Sequence, residues 1–198
     1  MSTKFWFATP LYEGRASGDD LGLISAEVAD ALANALETFQ HIGREPGVIT
    51  TLRPETPGNF IAENGLRVLA QTILRHAAAF CTDLGASRFN GARIESSWAS
   101  IFSTDGFLFA RNYSPSMMSG LYFHQVASKG GKVIFNSPNV FFNSYDFPNN
   151  DRECASTVEY TPRIGDILLF PSWLSHFFDV VQSNDETIVV NFNLHLKK

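Results

Sequence analysis

The sequence has few cysteines, little charge and no long apolar run, and each shortage excludes a class of protein. Two cysteines, Cys81 and Cys154, among 198 residues cannot build a disulfide framework, so we expect a reducing, cytoplasmic location. Lys and Arg number 15 against 20 Asp and Glu, a net charge of −5. This balance excludes a nucleic-acid binder with a broad basic face, because phosphate contacts require clustered Lys and Arg. No apolar run approaches the roughly 18–20 residues of a membrane span, and residues 1–14 lack the apolar stretch of a signal peptide.

Common catalytic and nucleotide-binding motifs are absent as well. The sequence contains no P-loop, G-x-G-x-x-G, C-x-x-C, G-x-S-x-G or H-E-x-x-H. Because these motifs carry phosphate loops, dinucleotide sites, redox pairs, nucleophile elbows and zinc sites, the sequence predicts none of those chemistries. The acidic pairs at 19–20 and 185–186 lie in predicted loops, and we interpret them as solvated surface.

The N-terminal part of the chain predicts two helices. A strand-like start over Lys4–Leu11 leads into Leu23–Ile42, where apolar residues recur every three or four positions. The Pro- and Gly-rich stretch 43–59 predicts a loop with one short strand. A second helix follows, with Asn64 as its cap and Gly85 at its end. Its predicted apolar face consists of Leu66, Leu69, Ile73, Ala77, Phe80 and Leu84.

After Gly85 the pattern changes to short aromatic and β-branched runs separated by turn residues. Thirteen of the 18 Phe follow Ser87, as expected where aromatic side chains fill a barrel. Spaced strands with turns between them favour a sandwich or barrel over alternating βα units. We therefore predict a single α+β, mainly β domain: a cupin-like jelly roll, or double-stranded β-helix, braced by two N-terminal helices. Residues 1–85 would hold the first strand and the helices, and residues 86–198 the jelly-roll core.

Several short motifs stand out in the predicted β half. The most specific is Phe-Pro-Ser-Trp-Leu-Ser-His at 170–176, followed by Asn-Phe-Asn at 191–193. Further motifs are Ser97-Trp98, Ser-Gly-Leu-Tyr-Phe at 119–123 and the segment 131–138. Together they resemble motifs of the two-oxoglutarate/Fe(II)-dependent (2OG-Fe(II)) oxygenase superfamily, and most closely a family of small bacterial and phage oxygenases. The resemblance implies a jelly roll that holds Fe(II) and two-oxoglutarate.

The same resemblance shows where this chain departs from the family. Two residues that the family uses to bind the metal align with Arg111 and Tyr113, whereas the last metal ligand is retained as His176. The Arg and Ser that hold the co-substrate align with Thr187 and Val189. A lone imidazole holds Fe(II) weakly, and a protonated guanidinium cannot coordinate a metal. We therefore expect no cofactor at this site; an active enzyme would use Fe(II) and two-oxoglutarate.

The former active-site opening is expected to bind a small, anionic ligand or a peptide. If the family's Arg position faces inward, the alternating residues of the last strand face inward too, and a hairpin places His176 across from Asn193. The candidate catalytic residues are His176, Tyr113 and Arg111, and His176 is the only retained metal-ligand candidate. The candidate ligand-binding residues are Arg111, Tyr113, Phe123, Thr187, Asn191, Asn193 and His195.

Three functions stay open at this stage, and the sequence does not decide whether the chain is an enzyme. The first is a ligand-binding or metal-free acid/base protein that has lost iron chemistry. The second is an active oxygenase with an unconventional ligand set, for which His124, His176 and His195 are one option; alternation from Phe123 points His124 away from the interior. The third is an assembly partner of a true oxygenase. We expect no nucleic acid or membrane partner, consider a homodimer, and interpret 136–150 as a loop over the barrel mouth.

Overall fold

The computed structural model describes residues 9–41, 46–52, 58–86, 89–139 and 156–197. The chain starts with strand β1 (Tyr12–Arg15) and helix α1 (Gly18–Asn34), followed by a 3-10 turn (Leu36–Thr38). The short strands β2 (Gln40–His41) and β3 (Val48–Thr50) come next. Helices α2 (Phe60–Glu63) and α3 (Arg67–Asp83) complete the N-terminal half. No helix in these ranges is long and apolar enough to span a membrane.

Both predicted helices exist, but their ends differ from the sequence-based expectation. The first begins at Gly18 rather than Leu23, because the Ser17 side chain accepts the Asp20 N–H and caps the helix earlier. It ends at Asn34 because the chain then turns toward β2, which pairs with β3. The predicted strand at Lys4–Leu11 lies largely outside the described residues, and the observed strand begins at Tyr12.

The second helix is capped by a residue distant in sequence. Asn64 follows the separate helix α2, and α3 begins only at Arg67, so the prediction of Asn64 as its cap is wrong. The Glu27 carboxylate of α1 accepts the Val68 N–H at 3.1 Å and the Leu69 N–H at 3.3 Å instead. At the other end, Gly85 has a φ of +68° and terminates the helix as predicted. Leu84, expected on the apolar face, is 50% exposed.

The C-terminal half adds eight strands: β4 (Gly91–Phe102), β5 (Leu108–Arg111), β6 (Met118–Gln125), β7 (Val133–Asn136), β8 (Thr157–Tyr160), β9 (Asp166–Pro171), β10 (His176–Phe178) and β11 (Thr187–Lys197). Together with the N-terminal strands they form two antiparallel sheets. A seven-stranded sheet has the order β1-β9-β6-β11-β4-β3-β2, and a four-stranded sheet has the order β5-β10-β7-β8. Strands are thus present after Gly85, as the short aromatic and β-branched runs predict.

The large sheet separates two apolar cores. Between the sheets lies an interior core to which Leu121, Phe123 and Val189 of the large sheet contribute, together with Phe135 and Phe178 of the small sheet. The other face of the large sheet packs on the helices. That second core contains Ile24, Val28, Leu69, Ile73, Phe80, Tyr122, Ile167, Val190 and Phe192. The prediction of a helix-braced jelly roll is confirmed.

The expected hairpin between His176 and the last strand is wrong. Strand β10 pairs with β5 and β7 in the small sheet, whereas β11 pairs with β4 and β6 in the large sheet. The chain therefore crosses from one sheet to the other after Phe178. In a jelly roll, strands adjacent in sequence often belong to opposite sheets, so the spacing of two strands does not establish that they pair.

Candidate functional site

His176 occupies an aromatic environment at the start of β10. Its side chain is 1% exposed. The ring lies 4.8 Å from that of Phe170, 5.2 Å from that of Tyr113 and 5.8 Å from that of Phe135, measured between centroids. Burial among these rings disfavours the charged imidazolium and lowers the pKa of His176 to about 4, and the nearby Arg111 charge acts in the same direction. The imidazole is therefore neutral at neutral pH.

The hydrogen bonds of His176 determine which ring nitrogen carries the proton. Nδ1 lies 3.2 Å from the carbonyl oxygen of Leu174. Because a carbonyl only accepts, Nδ1 of the neutral ring is the donor, and the lone pair belongs to Nε2. Nε2 is buried and has no hydrogen-bond partner among the described residues. A buried acceptor without a partner costs free energy, so this atom is where a ligand or metal would add the missing contact.

Arg111 lies directly opposite His176. The two residues are register partners in the antiparallel pair of β5 and β10, beside a register shift between His176 and Phe178, and the Arg111 charge adds to burial in lowering the pKa of His176. The Arg111 side chain is half-buried, and its Nε donates to the carbonyl oxygen of Phe109 at 3.3 Å. A guanidinium therefore borders the buried imidazole.

Tyr113 connects the two sheets beside this pair. Its ring packs edge-on against the indole of Trp98 at 5.0 Å and against His176 at 5.2 Å. Its backbone N–H donates to the Ser172 carbonyl oxygen at 2.8 Å, which fixes the loop after β5 to the end of β9. Arg111, Tyr113 and His176 are thus brought together, in agreement with the alignment of the sequence motifs.

A buried polar network lies on the interior face of the large sheet. The Ser119 hydroxyl is 2.7 Å from both the Asn193 Oδ1 and the Ser172 hydroxyl. The Asn193 Nδ2 donates to the Ser96 hydroxyl at 3.1 Å. Asn191 similarly donates to the Ser100 hydroxyl at 3.1 Å. The amides of the last strand are therefore engaged with serines rather than unpaired.

Sequence reasoning missed most of the partners around these residues. It named no role for Ser96, Ser100, Ser119 or Ser172, nor for the rings of Trp98, Phe135 and Phe170 around the site. The alternation of Ser96, Trp98 and Ser100 in β4 was a usable signal, because period two places the three on one face.

Other predicted ligand-binding residues lie elsewhere. Thr187 is fully buried, and its hydroxyl accepts the Ala127 N–H at 3.0 Å. Gly131 packs closely against the same hydroxyl, because a Cβ at that position would lie only 2.9 Å from it. Thr187 is six positions from Asn193 along β11, about 20 Å. Phe123 is fully buried in the interior core. His195 is half-buried and pairs with Arg93 near the end of β11.

The alternative three-histidine site is not assembled in the part of the chain that the structure describes. Within those ranges, no group of three or more His, Cys, Asp or Glu side chains could hold a metal ion. His124 lies where the register of β6 against β11 shifts, so simple alternation does not determine the direction of its side chain. Its Nδ1 is buried and has no hydrogen-bond partner in the described ranges, and burial lowers the pKa of His124.

The small sheet also carries an apolar groove on the side away from His176. Its walls come from β5, β10 and the residues next to them, and its aromatic lining is Phe107, Phe109, Phe177 and an edge of the buried Phe178. Phe109 is 59% exposed, and its ring packs edge-on against Phe107 at 5.1 Å. The predicted loop 136–150 lies largely outside the described residues, as does Cys154.

Sequence comparison matches one protein family. A family model described as "Putative 2OG-Fe(II) oxygenase" matches residues 96–193. This range contains Arg111, Tyr113, His176 and the polar network. No curated protein sequence matches the chain significantly.

Structural comparison finds the same fold in solved oxygenases. A Pseudomonas putida prolyl-4-hydroxylase is 13% identical with a TM-score of 0.60, over 96% of this chain and 94% of that chain. HygX from Streptomyces hygroscopicus, solved with nickel and 2-oxoglutarate bound, is 13% identical with a TM-score of 0.55, over 94% and 82%. The alpha ketoglutarate dependent carbocyclase SnoK from nogalamycin biosynthesis is 12% identical with a TM-score of 0.63, over 96% and 80%. At these identities the likeness establishes the fold alone.

Proposed function

We propose that this chain, which belongs to the 2OG-Fe(II) oxygenase superfamily, has lost the iron chemistry of that superfamily and binds a small anionic ligand at Arg111, Tyr113 and His176. The observation that carries the proposal is the direct pairing of Arg111 with His176 across β5 and β10. A permanent cation borders the one retained metal-ligand candidate, and this arrangement suits an anion rather than a metal ion.

The side chains present do not fit Fe(II). A non-haem iron site needs two His and a carboxylate, or a third His, on one face of the metal. His176 offers one suitable nitrogen, but Arg111 and Tyr113 stand where the other ligands are expected. The guanidinium stays protonated, and it repels a divalent cation at short range.

The surroundings of Thr187 also argue against the co-substrate. This residue aligns with the Arg that holds the distal carboxylate of two-oxoglutarate, and a Thr cannot neutralise that charge. Its hydroxyl already accepts the Ala127 N–H, and Gly131 packs against it. Phe102 and Phe178 stack at 4.6 Å in the same interior core, which leaves apolar rather than cationic surroundings.

The three site residues have complementary capacities. Arg111 can hold a carboxylate or phosphate with a two-pronged hydrogen bond. The Tyr113 hydroxyl can donate a hydrogen bond or a proton beside it, and His176 Nε2 can accept one. The same set supports metal-free acid/base chemistry on the bound anion. A peptide with a terminal carboxylate belongs to the same ligand class.

Metal content and anion binding test this proposal together. Protein purified without chelator is expected to contain iron well below stoichiometric amounts and to show no two-oxoglutarate binding by calorimetry. A screen of carboxylates and phosphates is expected to find a ligand whose binding Arg111→Ala abolishes. Arg163→Ala, at an exposed arginine on the loop before β9, is the matched control and should bind normally. Tight binding of both iron and two-oxoglutarate would overturn the proposal.

Two other functions each have one supporting observation. The Nε2 of His176, which has no partner in the part of the chain that the structure describes, suits a metal ligand as well as a hydrogen-bond acceptor, which favours an oxygenase with an unconventional ligand set. Stoichiometric iron would support that function. The exposed groove at Phe107, Phe109 and Phe177 favours an assembly partner of a true oxygenase. A homodimer and a cytoplasmic location stay predictions.

A further inference from the structure

We infer that the ligand of this site is a 2-hydroxy carboxylate, and that the site discriminates against the 2-oxo acid of the same skeleton. The inference rests on the proposed function, since it assumes an anion at Arg111, and it adds the group next to that anion. It depends on the direction of one hydrogen bond, which the His176 tautomer determines.

His176 requires a donor from its ligand. Nδ1 faces the Leu174 carbonyl oxygen, so the neutral ring presents only the Nε2 lone pair to the site. A hydroxyl donates to that lone pair and provides the contact that it lacks. A keto oxygen cannot donate, and it would place a second acceptor against Nε2. The site therefore favours the hydroxyl form of a ligand that otherwise has the same shape.

Arg111 specifies where the negative charge lies relative to that hydroxyl. Because Arg111 and His176 are register partners, their Cα atoms are about 4.5–5.5 Å apart, and the Arg111 charge is close enough to act on the His176 ring. Two groups this close are suited to neighbouring groups on one small molecule. In a 2-hydroxy carboxylate, the hydroxyl and the carboxylate are on adjacent carbons, which matches this requirement.

The third substituent is expected to be apolar. Trp173 and Met117 are both 49% exposed, and they lie on two segments next to the site. The Ser172 N–H donates to the Met117 carbonyl oxygen at 3.3 Å, and the Ser172 carbonyl accepts the Tyr113 N–H at 2.8 Å. Exposed apolar side chains on these joined segments offer a surface for an apolar group on the ligand.

Matched pairs of acids test the inference directly. Calorimetry at neutral pH should find mandelate binding about tenfold or more tightly than benzoylformate, the loss expected when a buried acceptor is left without its donor. Lactate and pyruvate repeat the comparison without the aromatic ring, and should show the same preference at lower affinity. Arg111→Ala should abolish binding of every member of both pairs.

Two substitutions at His176 test the cause of the preference. His176→Phe removes the Nε2 acceptor and replaces it with a ring that suits the aromatic environment. The affinities for the 2-hydroxy acid and the 2-oxo acid of each pair should then become nearly equal, while Arg111 is still required for binding. His176→Gln, whose amide both donates and accepts, should also reduce the ratio of the two affinities and serves if the Phe variant does not fold. A ratio unchanged in both folded variants would overturn the inference.

The outcomes separate this inference from the proposed function. Equal binding within the pairs, or tighter binding of the 2-oxo acids, overturns the inference and leaves an anion site in place. Binding of inorganic phosphate but of no 2-hydroxy acid, with Arg111 required, has the same consequence. No Arg111-dependent binding of any anion overturns the proposed function itself.

Discussion

The interior of the jelly roll has two ends that differ in how completely their polar groups are paired. At the Thr187 end, the buried hydroxyl has its partner in the Ala127 N–H, and Phe102 stacks on Phe178 at 4.6 Å. At the His176 end, a buried Nε2 has no partner among the described residues, and a half-buried Arg111 lies opposite. The comparison teaches that the Thr187 end is packed and paired like ordinary core. The other end keeps the unsatisfied atom that a ligand requires.

The largest effect on stability is expected from creating a cavity at the Thr187 end. Phe178 is 1% exposed and stacks on Phe102, so Phe178→Ala should lower the free energy of unfolding by about 4 kcal/mol through lost burial and a cavity. Urea denaturation measures this change, with Phe178→Leu as the milder control. If this end were a ligand cavity instead of core, Phe178→Ala would change stability by less than about 1 kcal/mol.

Engineered metal binding at the His176 end should sharpen the contrast between the two ends. The double variant Arg111→His, Tyr113→Asp adds one His and one carboxylate beside His176, which completes the two-His, one-carboxylate donor set that non-haem iron prefers. We expect Co(II) or Fe(II) affinity to rise about a hundredfold, or about 3 kcal/mol, by anaerobic calorimetry. The same double change in a His176→Phe background is the control and should show no gain. Equal affinity with and without His176 would mean that the added residues do not form a site with it.

The buried imidazole should make stability depend on pH. The folded pKa of His176 is lowered to about 4, below the 6.5 of an unfolded chain, so the unfolded state takes up the proton first as pH falls. Stability should decline from about pH 6.5 downward and level off below about pH 4. The contribution of this group is about 2 kcal/mol between pH 8 and pH 5. The measurement is the free energy of unfolding of wild type and of His176→Phe at several pH values across that range. Subtracting the two cancels the contributions of the other histidines. The same pH dependence in both proteins would mean that His176 is solvated.

The smallest effect on stability is expected from removing the Thr187 hydroxyl. Thr187→Val keeps the shape but removes the acceptor for the Ala127 N–H, which should cost about 1 kcal/mol of stability. Thr187→Ser keeps the hydroxyl and is the matched variant in urea unfolding. Neither change should alter anion binding that depends on Arg111. Weakened anion binding in Thr187→Val alone would show that the two ends act as one site.

Local sequence signals predicted the strands well and the helix limits poorly. Short aromatic and β-branched runs between turn residues marked the positions of strands, including β11, because such side chains fill the buried faces of a sheet. The start of α3 was missed because its first N–H groups are satisfied by Glu27, forty-one positions earlier. Such a tertiary cap leaves no signal near Arg67.

The candidate site was predictable where a motif identified positions, and not where pairing decides the contacts. Arg111, Tyr113 and His176 followed from spacing against the family motifs, and the structure brings them together. The serines that engage Asn193 did not follow, since they lie on strands whose register no local pattern specifies. The hairpin error has the same origin, because pairing of β10 with β5 is a property of the complete fold.

The contact of Glu27 with the start of α3 makes the two bracing helices a single cooperative unit. Neither of the two N–H groups that Glu27 accepts is satisfied within α3 itself, so docking of α1 stabilises the first turn of α3. A shortened chain that began after Asn34 would therefore lose the apolar face of α1 and also fray the helix left behind. The half of the protein that carries no candidate chemistry thus determines whether the sheet bearing Asn191 and Asn193 has a folded support.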